Sequence, residues 1–112
     1  MNIQSETRGD VVVLRPVARI DSSNAGVFER AITTALDQGG TRMVIDFAQM
    51  EYISSAGLRA TLIAGKRMRS VPGGRLVLCS LAPPVREIFE ISGFVAIFTI
   101  RDDLDAAVAA CE

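Results

Sequence analysis

A chain of 112 residues, 49% hydrophobic and 22% charged, is long enough to form one domain with its own core, which we place at residues 1–112. The net charge of −1, without an acidic or basic block, excludes long-range attraction to nucleic acid or to an anionic membrane. No apolar run is long enough to span a bilayer, no signal-peptide pattern is present, and two distant cysteines indicate no disulfide framework. We therefore expect a cytoplasmic protein.

The first half of the chain predicts two strands, a helix and a third strand. Residues 3–7 predict a short edge strand, and the β-branched run over residues 11–17 predicts the next strand. Residues 21–24 supply several helix caps, and apolar residues then recur at helical spacing until a stop at Gly39-Gly40. Residues 42–47 follow as a buried strand.

The second half predicts three further helices that alternate with two strands. One helix runs from about 55 to 69, a strand covers 75–80, and a helix opens at the two prolines of segment 83–93. Residues 95–100 predict the last strand, and segment 102–110 predicts a final helix that begins with two acids. The order β-β-α-β-α-β-α-β-α implies an α/β fold: a small mixed, largely parallel β-sheet covered by about four helices, with an N-terminal β-hairpin.

The turn that carries Ser54 and Ser55, between an apolar strand and a helix, is the most informative segment. Free backbone N–H groups and the helix dipole favour negative charge at a helix N-terminus. A serine at this place suits a helix cap, a phosphate acceptor or a nucleophile. Spacing alone favours the cap, and on that interpretation Ser55→Ala costs about 1 kcal/mol of stability.

The helix after this turn has one side suited to docking a partner. At about 100° per residue, one stripe of the helix is assigned to the core: Leu58, Thr61, Leu62, Gly65 and Met68. The other side carries Ser55, Arg59 and Lys66, with a shallow apolar patch of Ala56, Ala60 and Ile63. A phosphate could switch such a surface. The alternatives are a merely solvated Arg59 and small residues that only pack on a neighbouring helix.

The chain lacks the usual residues of catalytic and metal sites. It contains no histidine and no nucleophile elbow, P-loop or Gly-x-Gly-x-x-Gly fingerprint. A serine without a nearby base is a poor nucleophile at neutral pH, and two distant cysteines supply no recognisable metal-ligand set. We therefore expect no enzymatic activity, no cofactor and no metal.

Several separated motifs resemble the STAS domain family, and more narrowly the bacterial anti-sigma factor antagonists. Residues 44–47 and 52–58 resemble the family's signature of a strand, a spacer and a serine turn. Residues 19–25, 74–78 and 84–94 resemble the family's first strand-to-helix segment and its later strand, helix and closing turn. The resemblance covers nearly the whole chain.

The resemblance implies a switch controlled by serine phosphorylation. Family members are phosphorylated by an anti-sigma factor that is a serine kinase with a histidine-kinase-like ATPase fold. Unphosphorylated, they bind that kinase and release its sigma factor, and a metal-dependent serine/threonine phosphatase resets them. On this chain the implied acceptor is Ser55, and Asp21 matches an acidic position near it. The family often has Asp at position 54 and Ser or Thr at position 56. Ser54 is therefore a competing acceptor.

The predicted partner-binding residues are Asp21, Ser54, Ser55, Ala56, Gly57, Arg59, Ala60 and Ile63. A phosphate on Ser55 is expected to block this surface without refolding the domain. Gly57 either lets a partner backbone approach or packs tightly against the sheet. Two alternatives remain open: a switch with a non-sigma output such as secretion or motility, and a STAS subunit of a membrane lipid or anion transport assembly.

Overall fold

Seven strands and four α-helices make up the computed structural model, which describes all of residues 1–112. The strands are β1 (Ile3–Arg8), β2 (Val11–Pro16), β3 (Ala18–Ile20), β4 (Arg42–Asp46), β5 (Met50–Ile53), β6 (Arg75–Cys79) and β7 (Thr99–Arg101). The helices are α1 (Ala25–Asp37), α2 (Ser55–Arg69), α3 (Pro83–Ile91) and α4 (Leu104–Cys111), with one 3₁₀ turn at Phe94–Ala96.

The main sheet is mixed and mostly parallel, with strand order β1-β2-β4-β6-β7. β1 and β2 form an antiparallel hairpin in which Ile3 faces Pro16 and Arg8 faces Val11. The pairs β2–β4, β4–β6 and β6–β7 are parallel, because each connection between them crosses over through at least one helix. The predicted α/β fold with four helices and an N-terminal hairpin is confirmed.

The main sheet separates two apolar clusters of unequal size. The larger cluster joins the sheet to α1, α2 and α3 and contains the buried rings of Phe28, Phe47 and Phe89. The smaller cluster joins the valines of the opposite face to Ala107 and Cys111 of α4. Since β4 is covered on both faces, its sequence is a nearly continuous apolar run rather than an alternating one.

A buried ion pair ties the hairpin to the turn that leads towards β5. Arg15 donates from Nε to Asp46 Oδ2 and from Nη2 to Glu6 Oε1, both at 2.9 Å. The hydrogen bonds to Glu6 and then to Asp46 raise the pKa of Arg15. Asp46 is 3% exposed and also accepts a hydrogen bond from the backbone N–H of Ala48. The buried carboxylate is thus paired with a cation and hydrogen-bonded, as a buried charge requires.

Of two short strands, β5 was not predicted from the sequence, and β3 was implied only by the resemblance of residues 19–25 to a strand-to-helix segment. They form a separate parallel pair in which Arg19 faces Tyr52 and Ile20 faces Ile53. β3 has three residues and begins at Ala18, whose φ of +74° is rare for a side-chain-bearing residue. Neither segment is long enough to show a period-2 pattern, so the pair depends on a contact between distant parts of the chain.

The predicted last strand over residues 95–100 is wrong in its extent. The strand begins only at Thr99, and a 3₁₀ turn over Phe94–Ala96 precedes it. The ring of Phe94 lies 6.0 Å from that of Phe89 and 5.9 Å from that of Phe98, centroid to centroid. Packing of these rings keeps the apolar run compact, and a short apolar run does not reveal by itself whether it is extended or helical.

Candidate functional site

The carboxyl ends of β3 and β5 place two predicted site residues side by side. Ile20 and Ile53 are in register, and the N–H of Ser54 donates to the carbonyl of Ile20 at 2.9 Å. Asp21 and Ser54 follow directly on these paired residues. The small sheet thus joins the loop before α1 to the turn before α2, which are more than 30 positions apart in the sequence.

Ser54, and not Ser55, is the N-cap of α2. Its backbone is extended, with φ −86° and ψ 174°, and its Oγ accepts a hydrogen bond from the N–H of Gly57 at 3.3 Å. Its carbonyl accepts from the N–H of Leu58 at 2.9 Å. Ser55 is the first helical residue, is exposed, and makes no side-chain hydrogen bond. The predicted capping cost at Ser55 is therefore wrong, because the preceding serine does the capping.

Gly57 is buried in the first turn of α2 and packs against the β3–β5 sheet. A Cβ at this position would lie 2.6 Å from Ile53 Cγ1 and 2.8 Å from Ile20 Cγ2. Between the two roles considered for Gly57, the geometry supports tight packing against the sheet. Gly57 is buried and the direction of its absent Cβ is occupied by these two isoleucines, whereas its predicted contact with a partner stays a prediction.

Asp21 is held in a fixed, negatively charged state next to this turn. Its carboxylate accepts hydrogen bonds from the hydroxyl and the backbone N–H of Ser23, and Arg19 Nε lies 3.4 Å away. These contacts lower the pKa of Asp21, with the Ser23 hydroxyl as the largest cause. Asn24 fixes the loop, because Oδ1 accepts from the N–H of Asp21 at 2.8 Å and Nδ2 donates to the carbonyl of Arg19 at 3.0 Å.

Arg19 and Tyr52 form a surface pair that the sequence did not single out as functional. The guanidinium of Arg19 lies 5.2 Å from the centroid of the Tyr52 ring, within the range of a cation–π contact. Tyr52 is 44% exposed and is the only tyrosine of the chain. An aromatic residue two positions before the serine turn is a sequence feature that could have indicated a functional role for Tyr52. The register of β3 with β5 was needed to pair it with Arg19.

A shallow groove of about 190 Å³ separates α1 from α2 beside Ser55. It is lined by Ala25, Gly26 and Glu29 of α1 and by Ala56, Arg59, Ala60 and Ile63 of α2. The prediction that Ala60 lies on the exposed side of α2 is wrong. It is 5% exposed and lies in the groove where α2 packs beside α1. Leu62, which was assigned to the core stripe, is only half-buried, whereas Ala64, which was not assigned to it, is fully buried.

Two cations on the exposed side of α2 have no acidic partner. Arg59 and Lys66 are exposed, and neither takes part in any of the seven ion pairs of the chain. Arg59 is four positions after Ser55, the spacing at which side chains on one face of a helix meet. Ile63, one further turn along, is 37% exposed. The exposed side of α2 therefore presents a hydroxyl, a free cation and an apolar side chain in sequence.

No group of three or more acidic, histidine or cysteine side chains lies close enough together to hold a metal ion. None of the four helices combines the length and the apolar character needed to cross a membrane.

Comparison with known proteins decides the family. The family model described as "STAS domain" matches residues 2–107. The chain belongs to the STAS domain family. The protein BtrV of Bordetella bronchiseptica, described as a candidate anti-sigma factor antagonist, is 47% identical to this STAS domain over 91 residues, which cover 81% of this chain and 78% of BtrV.

Solved structures show the same fold. A Thermotoga maritima protein, also described as a candidate anti-sigma factor antagonist, has a TM-score of 0.91 at 23% identity, with 97% of this chain and 93% of that chain covered. The phosphorylated form of SpoIIAA, a Bacillus cell fate determinant, has a TM-score of 0.76 at 24% identity, covering 99% of this chain and 100% of that one. The similarity to BtrV places this STAS domain among the anti-sigma factor antagonists, and the solved structures show the shared fold.

Proposed function

We propose that this STAS domain is a partner-switching regulator controlled by phosphorylation of Ser55. Unphosphorylated, it binds an anti-sigma factor that is also a serine kinase with a histidine-kinase-like ATPase fold, and the bound kinase releases its sigma factor. The STAS domain itself performs no catalysis. The observation that carries this proposal is the exposed, unbonded hydroxyl of Ser55 at the first position of α2.

The different environments of the two serines support Ser55 as the phosphate acceptor. The oxygen of Ser54 is half-buried and occupied by the N–H of Gly57, so a phosphate there would remove the cap. A phosphate on Ser55 would stand in solvent at the positive end of the α2 dipole, where the added negative charge is favourable for the helix. The fold should therefore tolerate phosphorylation of Ser55.

The surroundings of Ser55 explain how a phosphate would weaken binding. We call Asp21, Tyr52, Ser55, Arg59 and Ile63, with the groove beside them, the Ser55 face. A partner that covers this face would bury Ser55 next to small apolar residues and near the charged Asp21. Burying close to two negative charges there would cost several kcal/mol, and each 1.4 kcal/mol lowers affinity about tenfold. A metal-dependent serine/threonine phosphatase would restore binding.

The first test is capture of partners from native lysate with Ser55→Ala, Ser55→Asp and the control Ser92→Asp, which adds the same charge at the exposed serine that follows α3. We expect Ser55→Ala and Ser92→Asp to capture a kinase of the histidine-kinase-like ATPase class, and Ser55→Asp to lose it. The captured kinase with ATP should then phosphorylate the wild type and Ser54→Ala but not Ser55→Ala, as measured by mass spectrometry.

A second arm of the experiment examines the surface itself. Arg59→Glu should weaken capture at least about tenfold, whereas Arg30→Glu, the same charge reversal at an exposed position on α1, should leave capture unchanged. Retention of one partner by both Ser55 variants, above all a membrane transport component, would overturn the switch and leave Ser55 as a plain surface residue.

A further inference from the structure

A second cavity lies at the end of α2 that is remote from Ser55. Its volume is about 210 Å³, and it is enclosed by the last turns of α2, the start of β6, the residues around the start of β7 and the last turn of α4. The α2 residues that line it run from Gly65 to Arg69, so they lie about 15–21 Å from Ser55 along the helix. None of the residues of the Ser55 face contributes to it.

One wall of the cavity is apolar and firmly packed. Met68 is 1% exposed, and Phe98 is 8% exposed. The ring of Phe98 lies flush with α2 because Gly65 has no side chain there: a Cβ would be 2.8 Å from Phe98 Cε1. Ile97, 39% exposed, extends this wall towards solvent. Such a wall suits the apolar group of a small ligand.

A second part of the cavity wall is cationic, with no acidic residue in the lining. Arg69 donates from Nη2 to the carbonyl of Ile97 at 2.7 Å, which holds its guanidinium at the cavity while its other N–H donors have no protein partner. Arg75 forms no side-chain hydrogen bond and no ion pair, and it is exposed. Thr99 adds a hydroxyl that is likewise unbonded within the chain.

Crowding of positive charge makes this wall receptive to an anion. Arg42 of β4 is in register with Arg75 of β6, and Arg42 also lacks an ion-pair partner. Like charges that face each other on neighbouring strands destabilise a sheet. A bound oxyanion beside Arg69 and Arg75 would offset their positive charge and accept the free guanidinium hydrogens in charge-assisted hydrogen bonds.

We propose that this cavity binds a small organic oxyanion. A carboxylate or phosphate head contacts Arg69 and Arg75, and an apolar ring or short chain lies against Met68, Ile97 and Phe98. The cavity volume is below the roughly 300–1,000 Å³ that is typical of pockets for drug-sized ligands, so the apolar part of the ligand is limited to about one ring. This site is independent of the proposed switch at Ser55.

The test is a titration of the ¹⁵N-labelled full chain, followed by amide NMR shifts, with four probes: benzoate, phenyl phosphate, inorganic phosphate and benzyl alcohol. We expect benzoate or phenyl phosphate to cause saturable shifts at Gly74, Leu76 and Thr99, without shifts at Ser55 and Gly57. The tighter of the two identifies the preferred head group. Inorganic phosphate lacks the apolar body and benzyl alcohol lacks the charge, so both should bind more weakly.

Matched variants test the cationic residues and the free volume of the cavity separately. Arg69→Gln and Arg75→Gln should each weaken binding about tenfold or more, because each removes a charge-assisted hydrogen bond. Ala110→Leu, which adds bulk to the cavity lining, should prevent binding without a change in charge. Arg30→Gln, the same charge loss on α1, should leave the affinity unchanged.

Three results would overturn the proposal: no saturable shift with either organic anion, shifts of equal affinity with benzyl alcohol or inorganic phosphate, or undiminished affinity in both Arg69→Gln and Arg75→Gln. Circular dichroism of each variant shows whether the fold is retained, and the control Arg30→Gln separates loss of the site from a general loss of positive charge.

Discussion

At the scale of single residues, two adjacent serines have opposite environments. The oxygen of Ser54 points back into the first turn of α2 and accepts a backbone hydrogen bond, whereas that of Ser55 points outward and is free. One residue therefore stabilises the helix and leaves its neighbour available for chemistry. A modification of Ser55 can alter what the surface binds at little cost to the helix beneath it.

This division predicts different stabilities for two alanine variants. Ser54→Ala should lower the free energy of unfolding by about 1 kcal/mol, because the N–H of Gly57 loses its acceptor. Ser55→Ala should change it by less than about 0.5 kcal/mol, as at most surface positions. Urea unfolding followed by circular dichroism measures both values. An equal loss in the two variants would contradict the assignment of the cap.

At the scale of elements, the position of α2 depends on a close approach to the β3–β5 sheet. The helix touches Ile20 and Ile53 through the backbone of Gly57, so the exposed side of its first turn has a definite orientation. The same sheet holds Arg19 against Tyr52 and carries Asp21 at its end. The small sheet therefore supports the whole Ser55 face.

Two glycine-to-alanine substitutions separate packing from helix propensity. Gly57→Ala should destabilise the domain by about 1–3 kcal/mol, because its Cβ would overlap two isoleucine side chains. Gly26→Ala in α1 meets nothing closer than 3.6 Å and should stabilise the domain by about 0.5–1 kcal/mol. Thermal and urea unfolding compare the two. A stabilising effect of Gly57→Ala would contradict the packing of α2 on the small sheet.

At the scale of the whole molecule, the sheet buries a reactive group, the thiol of Cys79, that is not part of the Ser55 face. Cys79 lies in β6 between β4 and β7, is fully buried, and belongs to the apolar cluster beneath α4. Burial raises the pKa of its thiol to about 11 from an ordinary value of 9.0. The fold therefore keeps this sulfur protonated, and an inert thiol is the expected result.

The raised pKa of Cys79 predicts a loss of stability in alkaline solution. Below pH 9 both states hold the proton and the thiol contributes no pH dependence. Between pH 9 and about 11 the unfolded chain loses the proton first, so the free energy of unfolding falls as pH rises, by at most about 3 kcal/mol. Urea unfolding of the wild type and Cys79→Ala at pH 8 and pH 10.5 isolates this contribution. If both proteins lose equal stability, the thiol has no part in it.

Local sequence signals were sufficient for most of the fold. The β-branched run of β2, the apolar run of β4 bounded by turn residues and the paired prolines of α3 each indicated the correct element, and helical spacing set the limits of α2 at Ser55 and Arg69. The serine turn was also visible, because a polar pair between a buried strand and an amphipathic helix has few structural roles. These features depend on neighbours within a few residues.

The tertiary structure alone decided what each site residue touches. A helical period gives the direction of a side chain but not the element that packs against it, so the burial of Ala60 by α1 and of Gly57 by β3 and β5 was hidden in the sequence. The cation pair of Arg42 and Arg75 depends on strand register in the same way. The sequence determined the family, the main elements and the serine turn, since these are local patterns. Exposure, close packing and cavities required distant segments to meet.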